Sequence, residues 1–406
     1  METLSQLQFC LHSWGANSYG QLGQGHVEDQ SVPRLCDSTA LQNKAVRTVS
    51  GGGGHSVVIT ESGEVFVCGQ NHRGQLGVGH NADILTLQLC PISNQRVTNV
   101  ACGWDFTLFL TDNGKLLACG SNAFGQLGVG QAATHTAALL AVESLKEPIV
   151  SVAAGLRHSL AVGDSGCVYQ WGTGLYSHAK RALSPHPVPS HLCSKVPWQV
   201  PGLKQQKSHL VTAGSAHCVC LTGEGDLFLW GSNKHGQLTT SEPFLPSPTL
   251  LRRSLLSGEK VRNVWSGWTH IVAQTESGRV LTWGRGDYGQ LGQQASASLN
   301  TELQSAGSVV EGDGQTRRAC LPAEVKVLHG ATQITCGSEH NLAIVGGCLL
   351  SWGWNEHGMC GDGSQTDVSH PRLVSDLRPV LIGCGAGHSI ALSAATTDSI
   401  QKSDST

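Results

Sequence analysis

The chain repeats itself about every fifty residues, and a period of that length restricts it to a small set of stacked architectures. A Trp-Gly or Cys-Gly step recurs at Trp14, Cys68, Cys119, Trp171, Trp230, Trp283 and Trp352, and in the fullest copies it continues as W-G-x-N-x-x-G-Q-L-G. Trp14 to Gly23 fits throughout, and Cys68 to Gly77 and Cys119 to Gly128 fit with Cys in place of Trp. The copies at Trp230, Trp283 and Trp352 carry one or a few changes, whereas the Trp171 copy breaks down after Gly174. A second landmark, G-x-x-H inside an apolar run, ends at His55, His158, His217, His270, His340 and His388, with Phe106 in the seventh place.

Between the landmarks lie turn signals such as Ser62-Gly63, Asn113-Gly114 and Ser277-Gly278, flanked by short β-rich runs such as Arg279-Val280-Leu281-Thr282-Trp283. Glycine there reaches the positive φ that tight hairpin turns demand. Each repeat therefore reads as a small antiparallel sheet. Such a sheet cannot bury both faces alone, so the copies must stack, in an open solenoid or a closed ring. The chain ends select the ring: no G-x-x-H unit precedes Trp14, and no Trp-Gly follows Gly385 to His388. Strand Phe9 to Ser13 is expected to pair beside Ile390 to Leu392, so that one blade is shared and no terminal edge stays open. The expectation is an all-β, seven-bladed β-propeller with antiparallel blades over residues 9–393, between a short tail at 1–8 and a disordered polar tail at 394–406. Two expanded stretches, 175–203 with its prolines and the Ser-, Gly- and Gln-rich 293–318, read as mobile surface excursions.

Composition agrees with this reading, since 51 of 406 residues are Gly and only 14% are Asp, Glu, Lys or Arg. That balance is rich in turns and poor in solvated helix faces. The net charge of −3 carries no long same-sign run, so a direct nucleic-acid partner is not expected. No apolar run approaches the ~18 residues of a spanning helix, and the first residues lack a signal-peptide pattern, so neither membrane insertion nor export is expected. Fifteen cysteines, an odd number without C-x-x-C, sit in apolar contexts and read as buried thiols of a reducing compartment. A monomer of the cytoplasm, or of cytoplasm and nucleus, is the resulting expectation.

No G-x-S-x-G, H-E-x-x-H or phosphate-loop motif occurs, so no catalytic residue and no cofactor is assigned. The six repeat histidines, His55, His158, His217, His270, His340 and His388, occupy equivalent places in a ring and cannot converge within the ~2 Å bonds of a metal. They read as structural, each bonding backbone in its own or the next blade, and no metal is expected. Gln21, Gln75, Gln126, Gln237 and Gln290 read likewise as makers of turn or interblade bonds. Binding candidates are instead the positions that differ between otherwise equal copies, because the fold does not demand them. Within G-x-x-H these are Trp104, Asp105, Arg157, Trp268, Thr269 and Glu339; within the Trp-Gly segment they are Asp287 and Tyr288. Trp and Arg are residue types that dominate binding energy at interfaces.

The paired landmarks resemble the regulator of chromosome condensation repeat family, over about residues 9–393. Segments such as Trp14-Gly15-Ala16-Asn17-Ser18-Tyr19-Gly20 and Trp265-Ser266-Gly267-Trp268-Thr269-His270 resemble a branch of that family linked to secretion. The founding member is an exchange factor for the small GTPase Ran and docks one propeller face on it. The resemblance thus implies a guanine nucleotide exchange factor or regulator of a small GTPase, with secretory or vesicle-tethering machinery as further partners. A non-catalytic propeller scaffold for trafficking or signalling complexes is the alternative. Positions matching the founder's GTPase-facing acids read Ser18, Trp104 beside Asp105, and Arg157, which points away from Ran itself. A catalytic wedge would come from the degenerate Trp171 copy. The tryptophan and arginine clusters of a photoreceptor member are not matched, since Trp104 and Trp268 belong to blades three apart.

Overall fold

The computed structural model describes residues 9–92, 94–130, 133–293, 321–374 and 377–394. Among them, seven four-stranded antiparallel sheets succeed one another around a ring, as the repeat count requires. Blades 1 to 6 take residues 46–89, 97–141, 149–199, 208–250, 261–324 and 333–373 in chain order. Blade 7 is composite: Pro379–Cys384 and His388–Ala394 form its inner half, and Phe9–Gly15 and Gln30–Leu35 its outer half. Leu11 pairs with Leu392 and Ser13 with Ile390, the register expected from the incomplete end repeats. The first strand of each blade borders the central channel.

Apolar side chains fill the wedges between neighbouring blades, so each hydrophobic cluster mixes residues of two blades. Phe106, Leu108 and Ala118 of blade 2, for example, pack with Val152, Ala161 and Trp171 of blade 3. The five landmark tryptophans are fully buried. Their indole N–H groups reach back across the wedge: Trp14 donates to the Met359 carbonyl at 2.9 Å, Trp171 to that of Gln126 at 2.9 Å, Trp283 to that of Gln237 at 2.9 Å and Trp352 to that of Gln290 at 3.0 Å. Cys68 and Cys119 direct their thiols at the Gln21 and Gln75 carbonyls in the same way. The glycine after each Trp or Cys has φ between 87° and 111°. At Gly231 a Cβ would strike the Ala216 carbonyl and the His217 backbone, so the second letter of the landmark is fixed by conformation and by space together.

The thiols behave as expected of buried groups: burial pushes Cys36, Cys90, Cys102, Cys220 and Cys384 up to about 12. Segment 175–203 does not match its expectation as a mobile excursion. It holds an α-helix, α1 (Tyr176–Leu183), a short 3-10 turn at Ser190–Leu192, and the strand Trp198–Gln199 that completes blade 3. Leu175, Ala179, Leu192 and Leu203 are fully buried against Cys218, Trp230 and Phe244, which makes the insertion part of the wedge between blades 3 and 4. The expectations for 293–318 and for both tails fall, apart from Gln293 and Ala394, outside the described residues.

Candidate functional site

The G-x-x-H loops and the Trp-Gly segments open on the same face of the ring, and every candidate binding residue belongs to it. The histidines define its floor. Each imidazole folds back over the glycine three residues earlier, where a Cβ would collide with the ring; Phe106 does the same over Gly103. The Nε2 atoms meet side chains of the next blade rather than backbone, which corrects the expectation. His55 meets Thr107 Oγ1 at 2.8 Å, His270 meets Asn341 Oδ1 at 2.7 Å, His340 meets Ser389 Oγ at 3.0 Å and His388 meets Ser56 Oγ at 2.7 Å. His158 reaches Cys218 Sγ at 3.4 Å, and His217, faced by Ile271, turns to Ser266 Oγ at 3.3 Å.

Those hydroxyls already donate to a carbonyl: Thr107 to Gln75, Ser56 to Gln21 and Ser389 to Met359. The imidazole Nε2 must therefore be the donor, and in these three wedges one carbonyl accepts both this relay and the Trp or Cys of its blade. The opposite nitrogen, Nδ1, has no hydrogen-bond partner in any of the six. Burial accordingly drives the pKa of His55, His217 and His340 down to about 3 and of His158 and His388 to about 4. The repeated glutamines bind as expected, each side-chain oxygen accepting the N–H two residues back at 2.8–2.9 Å.

Above this floor the candidates separate into different kinds. Trp104 and Trp268 meet across the channel mouth, with ring centroids 5.4 Å apart, although their blades are three apart in the ring. The two loops cover a channel cavity of about 90 Å³, so blade separation did not keep these rings apart. Trp104 remains 41% exposed. Thr269 and Glu339 are not surface residues. Thr269 Oγ1 donates to Glu339 at 2.7 Å, Gln290 Nε2 donates to it at 2.8 Å, and His270 Nδ1 stands 3.7 Å away. Burial opposes the Glu339 charge, but His270, Thr269 and Gln290 outweigh it and hold the carboxyl below its usual range. Asp287 and Tyr288 are accessible and share a cation: Arg285 pairs with Asp287 at 2.8 Å and lies over the Tyr288 ring at 4.7 Å.

Arg157 is exposed, with its guanidinium 4.5 Å above the Phe124 ring. Burial raises the pKa of neighbouring Asp105, against the pull of Arg73 and Arg157. Arg157 also borders a groove of about 420 Å³ between blades 3 and 4, lined further by Phe124, Tyr176, His178, Lys234 and His235. These companions were missed in the sequence. Lys234 and His235 fill the variable places of the Trp230 copy and satisfy the same variability rule, so that signal was present; His178 lies beyond the point where repeat alignment fails.

A sequence profile of the RCC1-like domain matches residues 10–391, and the chain belongs to that family of seven-bladed propellers. More particularly, it is 49% identical over 389 residues to the secretion-regulating guanine nucleotide exchange factor of Bos taurus, an alignment covering 94% of this chain and 82% of that protein. Against the protein of the same name from Mus musculus it is 48% identical over 392 residues, covering 94% and 83%. The crystal structure of Prp20p from Saccharomyces cerevisiae has the same fold, with a TM-score of 0.80 at 22% identity over 99% of this chain and 95% of that one.

Proposed function

We propose that this chain regulates a small GTPase as a guanine nucleotide exchange factor acting in secretion, and that it binds the GTPase with the face formed by the G-x-x-H and Trp-Gly loops. The observation that carries this reading is the 49% identity, over 94% of the chain, to a protein named for that activity. Exchange requires no chemistry on the propeller itself; it requires a surface that fits the nucleotide-depleted GTPase better than the loaded one, so that nucleotide release becomes favourable. Arg157 and Trp104 are the accessible candidates of the residue types that anchor interfaces. Helix α1 takes the place in which a wedge was expected. The chain acts as a monomer in the cytoplasm, or in cytoplasm and nucleus, with secretory or vesicle-tethering components as further partners. Among the described residues, no helix is long and apolar enough to cross a membrane.

A scaffold without exchange activity is the second reading, and the burial of Glu339 favours it, since one candidate GTPase-facing acid is spent inside the fold. Release of fluorescent GDP from purified Ran, Ral, Rab, Arf and Rho family GTPases distinguishes the two. Acceleration of one member by about tenfold, equivalent to about 1.4 kcal/mol of barrier, and its loss on Arg157→Ala or Trp104→Ala is expected for an exchange factor. An unchanged rate across the panel with folded protein would leave the scaffold.

A further inference from the structure

The groove between blades 3 and 4 has a one-sided chemistry. Its volume of about 420 Å³ is in the range of small-molecule sites. Arg157, Lys234, His178 and His235 line it, and no Asp or Glu does. The nearest acids act only from outside: Asp105 feels Arg157, and Glu339 and Asp287 feel His235. Among the described residues, neither Arg157 nor Lys234 makes an ion pair. The Arg157 guanidinium lies over the Phe124 ring at 4.5 Å, and its N–H groups, in no ion pair among the described residues, can form a fork.

Two further observations point into the same space. Helix α1 begins at the groove, its N-cap Leu175 provides no side-chain acceptor, and the N–H groups of Ser177 and His178 have no acceptor among the described residues. An uncapped helix start carries partial positive charge on those amides. Gln237, only 2% exposed, also lines the groove; its oxygen is taken by the His235 N–H, and its Nε2 has no partner among the described residues. That Nε2 therefore faces the groove as an open donor, and the groove offers several donors and no acceptor of matching charge.

We propose that this groove binds the phosphate groups of a small phosphorylated ligand. A tetrahedral phosphate presents enough oxygens to meet a guanidinium fork, an ammonium, imidazoles and helix-start amides together, whereas one carboxylate would leave most of these donors unmet. Free pyrophosphate and a nucleoside diphosphate share this chemistry, with Phe124 and Tyr176 flanking the site as apolar walls. The site goes beyond the GTPase reading and does not rest on it, and its test contains no GTPase.

Titration calorimetry of the full chain with inorganic pyrophosphate, GDP, guanosine and sulfate provides that test. Pyrophosphate and GDP should bind and guanosine should not. Arg157→Ala and Lys234→Ala should each weaken binding by about tenfold or more, while Lys44→Ala, which breaks an ion pair with Glu64 far along blade 1, should not. Equal affinities would make free phosphate the ligand chemistry, and tighter GDP binding would make it a nucleotide; both support the site. No binding by any phosphate compound, binding that survives in both groove variants, or sulfate displacing pyrophosphate at equal concentration, an adventitious ion only, would each overturn it. Capture of a labelled oligoglutamate peptide without pyrophosphate binding would also overturn it, in favour of a protein segment. Near-ultraviolet circular dichroism of both variants checks that they remain folded.

Discussion

The Cys119 and Trp171 copies of the repeat sit side by side in the ring and solve the same problem differently. In blade 2 the loop after Cys119 is closed by two amide side chains: Asn122 Nδ2 ties down the Gly130 and Ala133 carbonyls, and Gln126 Oε1 accepts the Phe124 N–H. In blade 3 those two places after Trp171 hold Gly174 and His178, and α1 occupies that ground. Blade 4 then lacks the glutamine carbonyl that its tryptophan should reach. Gln170, one residue before the landmark, supplies its side-chain oxygen instead and accepts Trp230 Nε1 at 2.8 Å. The ring therefore requires a donor and an acceptor across each wedge, not a particular residue at a particular letter. Where that requirement is met by other means, the sequence is free to build a surface that the other blades lack.

Four experiments bear on this comparison. Blade 3 carries the ring histidine His158 where blade 2 has Phe106, but blade 2 still receives His55 of blade 1 at Thr107, so acid should unfold the two together. Folded His55, His158, His217, His340 and His388 have pKa values of about 3 to 4 against about 6.5 unfolded, so their contribution is complete above about pH 6.5 and is lost as pH falls toward the folded values. Each neutral ring costs about 1.4 kcal/mol per pH unit in that window, and the summed slope should be the largest effect. Urea midpoints between pH 7 and pH 4.5 measure it, and a flat profile would show that the rings can be charged in place.

Next in size, Trp171→Ala and Trp230→Ala should each cost about 3–5 kcal/mol by denaturant unfolding. Similar losses would mean that the substitute acceptor serves as well as the original. Gln170→Ala should cost about 1–3 kcal/mol, because it strands the buried Trp230 N–H. Gln126→Ala should cost less, since the acceptor for Trp171 is a backbone carbonyl that the substitution leaves in place. Equal costs for the two glutamines would break the comparison. Smallest in stability is Arg157→Ala, expected within about 0.5 kcal/mol of the parent as an exposed change. Its effect should appear in GDP release instead.

Much of this molecule is legible in its sequence, because landmark spacing reports directly on blade number and the incomplete end repeats report on closure. Residue roles that depend on local periodicity, such as the glutamine turns, were equally legible. The insertion was not, since prolines at 185, 187 and 189 suggested an open loop and masked the helix just before them. Glu339 looked like a surface acid because its partners, Thr269 and Gln290, lie in the preceding blade. Trp104 and Trp268 looked remote because repeat counting measures distance around the ring and not across its narrow mouth. The groove at Arg157 was only partly visible: its residues vary in the manner expected of a site, but their convergence depends on α1.

The shared blade has a consequence for biosynthesis. The hairpin Phe9–Leu35 leaves the ribosome about 340 residues before its partner strands, Pro379–Ala394, are made. At roughly 5–20 residues per second, that hairpin waits about 20–70 s with a sheet edge unpaired. Ring closure must therefore wait for Pro379–Ala394 to be made, and a ribosome that stops anywhere before Pro379 releases a chain in which Phe9–Leu35 has nothing to join.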